Sequence, residues 1–242
     1  MSTSVLLTSA PEDSEEIINW AEGRRVKLMH LPLERYIEAE REDLFGHIEA
    51  SETIIYGNKR NAIFFLKQAE RHSALNSVKQ RVNLTLHKHT ANYLEQAGIP
   101  AICPSDSPKP INLVEFMLRL RRIGPVLYPC GSHTKEEIPG LLEELDIPVH
   151  EAELYDLEGP AQEELASYRS TISRQQPGVI IFHSRKAVNR IQAAFPDLDL
   201  AGRTVISADT GVTHKLEEAG IPVTEEAGGS WESIIEKLAG QL

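Results

Sequence analysis

Two pairs of adjacent basic residues recur at matching places in this chain. Lys59-Arg60 follows Ile54-Ile55-Tyr56-Gly57-Asn58, and Arg185-Lys186 follows Ile180-Ile181-Phe182-His183-Ser184. Each time an apolar run ends in a short polar step, and the cations open a segment with helical spacing. Such a step can hold an anion. The first N–H groups of a helix lack intrahelical partners and carry the positive end of its dipole. Ser184 is also a helix-capping residue type. Lys88 with Thr90, Gly131 with Ser132, and Thr210 with Thr213 occupy comparable strand-to-helix steps. The chemistry on offer is binding of carboxylate or phosphate groups. The plainer alternative is solvated charge and ordinary capping. Recurrence in both halves favours a shared anionic ligand, although duplication alone would preserve the likeness.

Other chemistries find less support. His87 and His89 flank Lys88 but have no third metal ligand nearby in sequence, so they read as solvated loop residues and no metal is expected. Cys103 and Cys130 have neither zinc nor redox spacing and read as small buried residues. Neither a nucleophile elbow nor a phosphate-binding glycine–lysine loop is present.

The elements that must position these residues also repeat. Thr90-Ala91-Asn92-Tyr93-Leu94-Glu95-Gln96-Ala97-Gly98-Ile99-Pro100 returns as Val212-Thr213-His214-Lys215-Leu216-Glu217-Glu218-Ala219-Gly220-Ile221-Pro222, and Val5-Leu6-Leu7 is echoed by Val126-Leu127-Tyr128. Each echo lies at a similar separation, so the chain is a duplication predicting two similar domains and a ligand cleft between them. Alternating apolar runs and helical patterns predict parallel-sheet α/β domains. Strands are expected over 5–7, 25–31, 53–56, 82–86, 101–103, 126–128, from 149, and over 179–182, 204–207 and 222–224. Helices are expected over 12–20, 60–70, 90–97, 112–122, 135–145, 186–194, 213–219 and 230–238. The order of the copies implies a discontinuous domain of residues 1–33 plus 157–242 and an inserted domain of 39–150. Residues 34–38 and 151–156 are then crossing linker strands, narrow enough that domain orientation should vary.

The 242 residues suffice for two modest domains, and 41% apolar content suffices for their cores. A net charge of −11 argues against a nucleic-acid partner. The N-terminus lacks a secretory pattern and no apolar run reaches spanning length. With two cysteines, the expectation is a cytoplasmic protein with reduced thiols and no membrane partner.

In this layout the chain resembles the uroporphyrinogen-III synthase family over nearly its whole length. The residues carrying the likeness are Val5-Leu6-Leu7-Thr8, Leu31-Pro32-Leu33, Thr90-Ala91 before Leu94 and Gly98, Val126-Leu127-Tyr128-Pro129-Cys130-Gly131, Ala152-Glu153-Leu154-Tyr155, and Phe182-His183-Ser184 with Ala187-Val188. The chain departs from the family pattern at Tyr56-Gly57, His87, Cys130 and Ala208 to Thr213.

The resemblance implies a cofactor-free cyclising lyase, expected to be a monomer. Its substrate would be hydroxymethylbilane, a linear tetrapyrrole bearing carboxylates. The reaction loses water, passes through an azafulvene and a spiro intermediate, and closes the ring with ring D inverted. The protein would fold the substrate and aid departure of the hydroxyl. Tyr155 is then the catalytic candidate, because a phenol stays protonated at neutral pH; without the resemblance it reads as a packing tyrosine. Asn58, Lys59, Arg60, Lys88, Thr90, Gly131, Ser132, Ser184, Arg185, Lys186, Thr210 and Thr213 are the substrate-binding candidates. The alternative is a non-catalytic relative that binds a tetrapyrrole or another polyanion as a regulatory module.

Overall fold

The computed structural model describes residues 4–105, 109–120, 123–132 and 137–242. Contacts divide the chain into two compact units, Met1–Arg35 with Glu158–Leu242, and Tyr36–Leu157.

The discontinuous unit contains β1 (Ser4–Leu7), one turn of 3-10 helix (Pro11–Asp13), α1 (Glu15–Arg24) and β2 (Lys27–His30). The unit Tyr36–Leu157 takes up the chain with β3 (Arg35–Glu38), whose first residue falls on the other side of the division, and α2 (Leu44–Ala50). It continues with β4 (Thr53–Tyr56), α3 (Lys59–Arg71), α4 (Leu75–Lys79), β5 (Val82–Thr85), α5 (Lys88–Gln96), α6 (Pro110–Met117), β6 (Val126–Gly131), α7 (Glu137–Glu144) and β7 (Val149–Glu158). The chain then returns to the first unit with α8 (Gln162–Gln175), β8 (Val179–Phe182), α9 (Arg185–Ala194), β9 (Thr204–Ser207), α10 (Thr210–Glu218), β10 (Glu225–Glu226) and α11 (Trp231–Ala239).

The first unit's sheet runs β10-β9-β8-β1-β2, and every adjacent pair in it is parallel. The second runs β3-β7-β6-β4-β5, with parallel pairs β7–β6, β6–β4 and β4–β5. Past β5, a single parallel bridge joins Leu84 to Ile102. The two sheets therefore share one spatial plan, with β1, β2, β8 and β9 matching β6, β7, β4 and β5. The chain order differs: β1-β2 precede β8-β9 in one unit, whereas β4-β5 precede β6-β7 in the other. This explains why the echoes of Val5 and Ile180 come in opposite order, at Val126 and Ile54.

Why these strands form is plain from their composition. β4, β6 and β8 are buried at every position, as strands covered by helices on both faces must be. The first unit's core gathers Val5, Leu7, Ile180, Phe182, Val205 and Leu216. The second unit has one core around Ile54, Phe65 and Leu127 and another around Ile55, Tyr128 and Leu142, one on each face of its sheet. Tyr56 is fully buried, donates to Asn83 Oδ1 at 3.1 Å, and has its ionisation pushed far up by burial. Gly98 and Gly220 both have positive φ, +74° and +71°, where the helices α5 and α10 end.

Several expectations need correction. The helix expected over 12–20 is a 3-10 turn followed by α1, because buried Ser14 interrupts them. The 101–103 strand shrinks to its bridge at Ile102. Residues 222–224 are not a strand; the edge pairing falls at Glu225–Glu226, against Ile206 and Ser207. The helix expected over 112–122 starts at Pro110 and ends at Met117. Lys135, at the expected start of α7, lies outside the described residues, as do Arg121 and Arg122. α4 and α8 are additional helices. α8 escapes a periodicity search because only Ile172 of its fourteen residues is buried.

Candidate functional site

In an open parallel sheet, ligands gather beyond the strand C-termini, where neighbouring strands send their connections in opposite directions. Here those places are the ends of β1 and β8 in one unit, and of β6 and β4 in the other.

The step from β4 to α3 is built by Asn58. Its backbone is extended, with φ −155°, and its side-chain oxygen accepts from the N–H of Asn61 at 2.9 Å. Ser184 repeats this from β8 to α9, with φ −159° and a 3.1 Å bond from the N–H of Ala187. Asp209 does the same from β9 to α10, accepting from Val212 N–H at 2.9 Å. Each cap satisfies one backbone donor and leaves others at the helix start available to an anion. At α10 an anion is already present: the Asp209 carboxylate caps the helix, and Thr210 donates to Glu226 at 2.9 Å. Thr213 shares a 2.7 Å bond with Ser207.

Around α3 the candidates converge. Lys59 Nζ lies 5.6 Å from the Tyr93 ring centre, and Arg60 Cζ sits 3.8 Å above Tyr36 and 5.9 Å from Tyr155. Cations over aromatic faces are held without losing their charge. At the start of α5, Lys88 is exposed and Thr90 fully buried, its hydroxyl without a hydrogen-bond partner. His87 and His89 stack at 5.1 Å between ring centres; burial lowers the basicity of both, and His87 and Lys59 lower that of His89 further. His87 is half-buried at the N-cap position of α5, and His89 is exposed in its first turn, so they flank the helix start rather than sit in a free loop.

Tyr155 lies within β7 and is 4% exposed. Its hydroxyl donates to Asn61 Oδ1 at 2.6 Å. Its ring packs against Phe64 at 4.8 Å and edge-on to Tyr36 at 5.4 Å. A Cβ on Gly131 would stand 2.4 Å from the Tyr155 ring, so only glycine admits the tyrosine there. Ser132 N–H donates to the Tyr155 carbonyl at 3.1 Å, and the Ser132 hydroxyl bonds the Asp156 carboxylate. Tyr155, Gly131, Ser132, Arg60 and Asn58 are thus tied into one locality of the second unit.

In the first unit, Arg185 and Lys186 are exposed at the start of α9. Beside them lies a cluster not foreseen from sequence. Glu34 is 7% exposed, with one oxygen 3.2 Å from His183 Nε2 and the other bonded to Arg190. Burial opposes its ionisation, but the bonds and charges of His183 and Arg190 outweigh this and hold its carboxyl below the ordinary glutamate value. Asn61 was likewise missed. Its signal was a polar residue at a position of α3 that faces the core.

A cavity of about 330 Å³ lined by Arg169, Ile172, Gln176, Phe195 and Arg203 opens among segments that precede β8 and β9. It lies at the opposite edge of the sheet from the helix starts. Among the described residues no cluster of three or more histidine, cysteine or acidic side chains could hold a metal ion. No helix there is long and apolar enough to cross a membrane.

A family model described as uroporphyrinogen-III synthase HemD matches residues 62–236. A solved uroporphyrinogen-III synthetase from Helicobacter pylori is similar with a TM-score of 0.68 at 17% identity, covering 100% of both chains. A mutant uroporphyrinogen III synthase from the extremely thermophilic bacterium Thermus thermophilus follows at 0.60 and 13% identity, covering 99% of this chain and 97% of the other. At such identities the likeness is one of fold. No curated protein matches the sequence.

Proposed function

The chain belongs to the uroporphyrinogen-III synthase family, and from that premise we propose which of its residues carry the reaction. The activity is the cyclisation of hydroxymethylbilane to uroporphyrinogen III, a lyase reaction that loses water and inverts ring D. The observation that carries it is the family match across residues 62–236, well over half of the chain.

Substrate carboxylates are bound at the strand-to-helix steps. Asn58, Lys59, Arg60, Lys88 and Thr90 serve in one unit, with Gly131 and Ser132 shaping the end of β6. Ser184, Arg185 and Lys186 serve in the other, together with Thr210 and Thr213. Support comes from the repeated caps at Asn58 and Ser184 and from the cations at both helix starts. At α10 the Asp209 carboxylate competes, so Thr210 and Thr213 contribute through hydroxyls rather than through an open helix terminus.

Tyr155 is the proton donor to the departing hydroxyl. Its phenol is engaged with Asn61, so donation requires it to exchange that partner for the substrate. The pyrrole nitrogen supplies the electron push, and the phenol needs only to assist. We also read the chain as a cytoplasmic monomer, in keeping with Cys103 and Cys130 standing as thiols rather than as a disulfide; sedimentation tests the second part.

The functional test is a coupled assay with freshly made hydroxymethylbilane. The type III isomer is the expected product. Accumulation of only the spontaneous type I isomer would refute the assignment.

A further inference from the structure

One buried group is not explained by carboxylate binding. His183 directly follows β8, and its side chain is 12% exposed. An ionised carboxylate only accepts hydrogen bonds, so the proton between Glu34 and His183 belongs to Nε2. In the neutral imidazole, Nδ1 then holds a lone pair. That atom is closed to water and has no hydrogen-bond partner. Thr8 Oγ1, at the end of neighbouring β1, is in the same condition. An unmet buried polar atom costs about 1–3 kcal/mol, and two of them follow the central strands of one sheet.

The substrate offers two kinds of polar group. Its carboxylates accept hydrogen bonds and suit helix N-termini and cations. Its pyrrole N–H groups donate, and need an acceptor. We propose that His183 Nδ1 is such an acceptor, receiving a pyrrole N–H of the linear tetrapyrrole, with Glu34 as the positioning residue that fixes its tautomer. The inference rests on the family activity and deepens it. Arg190 holds the second oxygen of Glu34, so the carboxylate cannot swing away from the ring. The Trp231 ring lies 6.4 Å from the imidazole and nearly parallel to it, at 23°. A tautomer set by a carboxylate and presented to a ligand is the arrangement by which histidines are oriented in many sites.

The test uses the full chain labelled with ¹⁵N-histidine. Uroporphyrinogen III, kept reduced, is one probe. Benzenehexacarboxylate, a polyanion without N–H groups, is the other. The expected result is an upfield shift of the His183 Nδ1 resonance with uroporphyrinogen III and none with the hexacarboxylate. Equal shifts with both, or none with either, would overturn the proposal. Glu34→Gln should redistribute the His183 tautomers, which a purely structural role for Glu34 would not do. His183→Leu should lower kcat/KM for type III formation about ten- to a hundredfold, the cost of one lost buried hydrogen bond. If that variant fails to fold, the spectra of the unmodified chain still decide. A wild-type chain that forms no type III isomer defeats the family activity itself; an active chain with a silent imidazole defeats only this inference.

Discussion

The Tyr155 hydroxyl donates a 2.6 Å hydrogen bond to Asn61 Oδ1, joining residues 94 positions apart in the sequence. Asn61 in turn donates its N–H to the Asn58 side chain at 2.9 Å. The tyrosine of β7 is therefore wired to the cap of α3, where the residues proposed to bind carboxylates begin. A substrate group that disturbs the helix start acts on the phenol through only two hydrogen bonds.

Tyr155→Phe tests this link. Without the phenol proton, turnover should fall about 10²–10⁴-fold, the range of one acid–base group, with a smaller change in KM. The variant also removes Asn61's bond from the phenol, so about 1–3 kcal/mol of stability should be lost. Steady-state kinetics and thermal melting separate the two effects. Full activity in a less stable protein would make Tyr155 a packing residue only.

Gly131→Ala probes the same ring from the other side. The added methyl would meet Tyr155 Cε2 at 2.4 Å in a fully packed core. The ring must shift, and overpacking of this kind costs about 1–3 kcal/mol. Gly140 gives the contrast. It lies inside α7, and a methyl added there would meet nothing within 4 Å. Gly140→Ala should therefore stabilise by roughly 0.5–1 kcal/mol through helix propensity. Melting temperatures moving in opposite directions are the expected outcome.

How much of this was legible in the sequence depends on where each residue's partners lie. β4, β8 and β9 were readable to the residue, because strands buried between helices show as short apolar runs. The cap Ser184 was readable because a cap and its helix are adjacent. α8 was not, since it buries too little to leave a stripe. β10 was displaced because Glu225 and Glu226 pair through backbone alone and carry no apolar signal. The Tyr155–Asn61 and Glu34–His183 pairs were beyond reach, because their members are 94 and 149 residues apart and meet only after the sheets form.

Glu34 should leave a mark on acid stability. Its folded pKa lies below the ordinary value of 4.5. A depressed carboxylate contributes stability that is present above the unfolded pKa and is lost as pH falls through the folded one. Between pH 7 and 5 the wild type should therefore exceed Glu34→Gln by a nearly constant margin, of roughly 1–3 kcal/mol for a broken buried charge pair. Below about pH 4.5 the margin should shrink as Glu34 itself becomes neutral. Urea unfolding at stepped pH measures it. A margin that grows towards low pH would show that Glu34 is not held as the carboxylate.

Lys59→Ala and Ser184→Ala separate charge from capping in substrate binding. Ser184 accepts the Ala187 N–H, so its loss should cost about 0.5–2 kcal/mol of stability as well as affinity. Lys59 is half-buried over Tyr93 and is not the capping residue of its helix; its replacement should hardly move the melting temperature. Its proposed contribution is a positive charge at a helix start, where a substrate carboxylate would gain from both the cation and the dipole. KM for hydroxymethylbilane should rise about three- to tenfold in Lys59→Ala with kcat nearly unchanged, as for an interaction present equally in ground and transition states. Added salt supplies the control. Screening between about 0.05 and 0.5 M should raise the wild-type KM more than that of Lys59→Ala, because the variant has less charge left to screen. Identical salt dependence in the two proteins would mean that Lys59 is surface charge remote from the substrate.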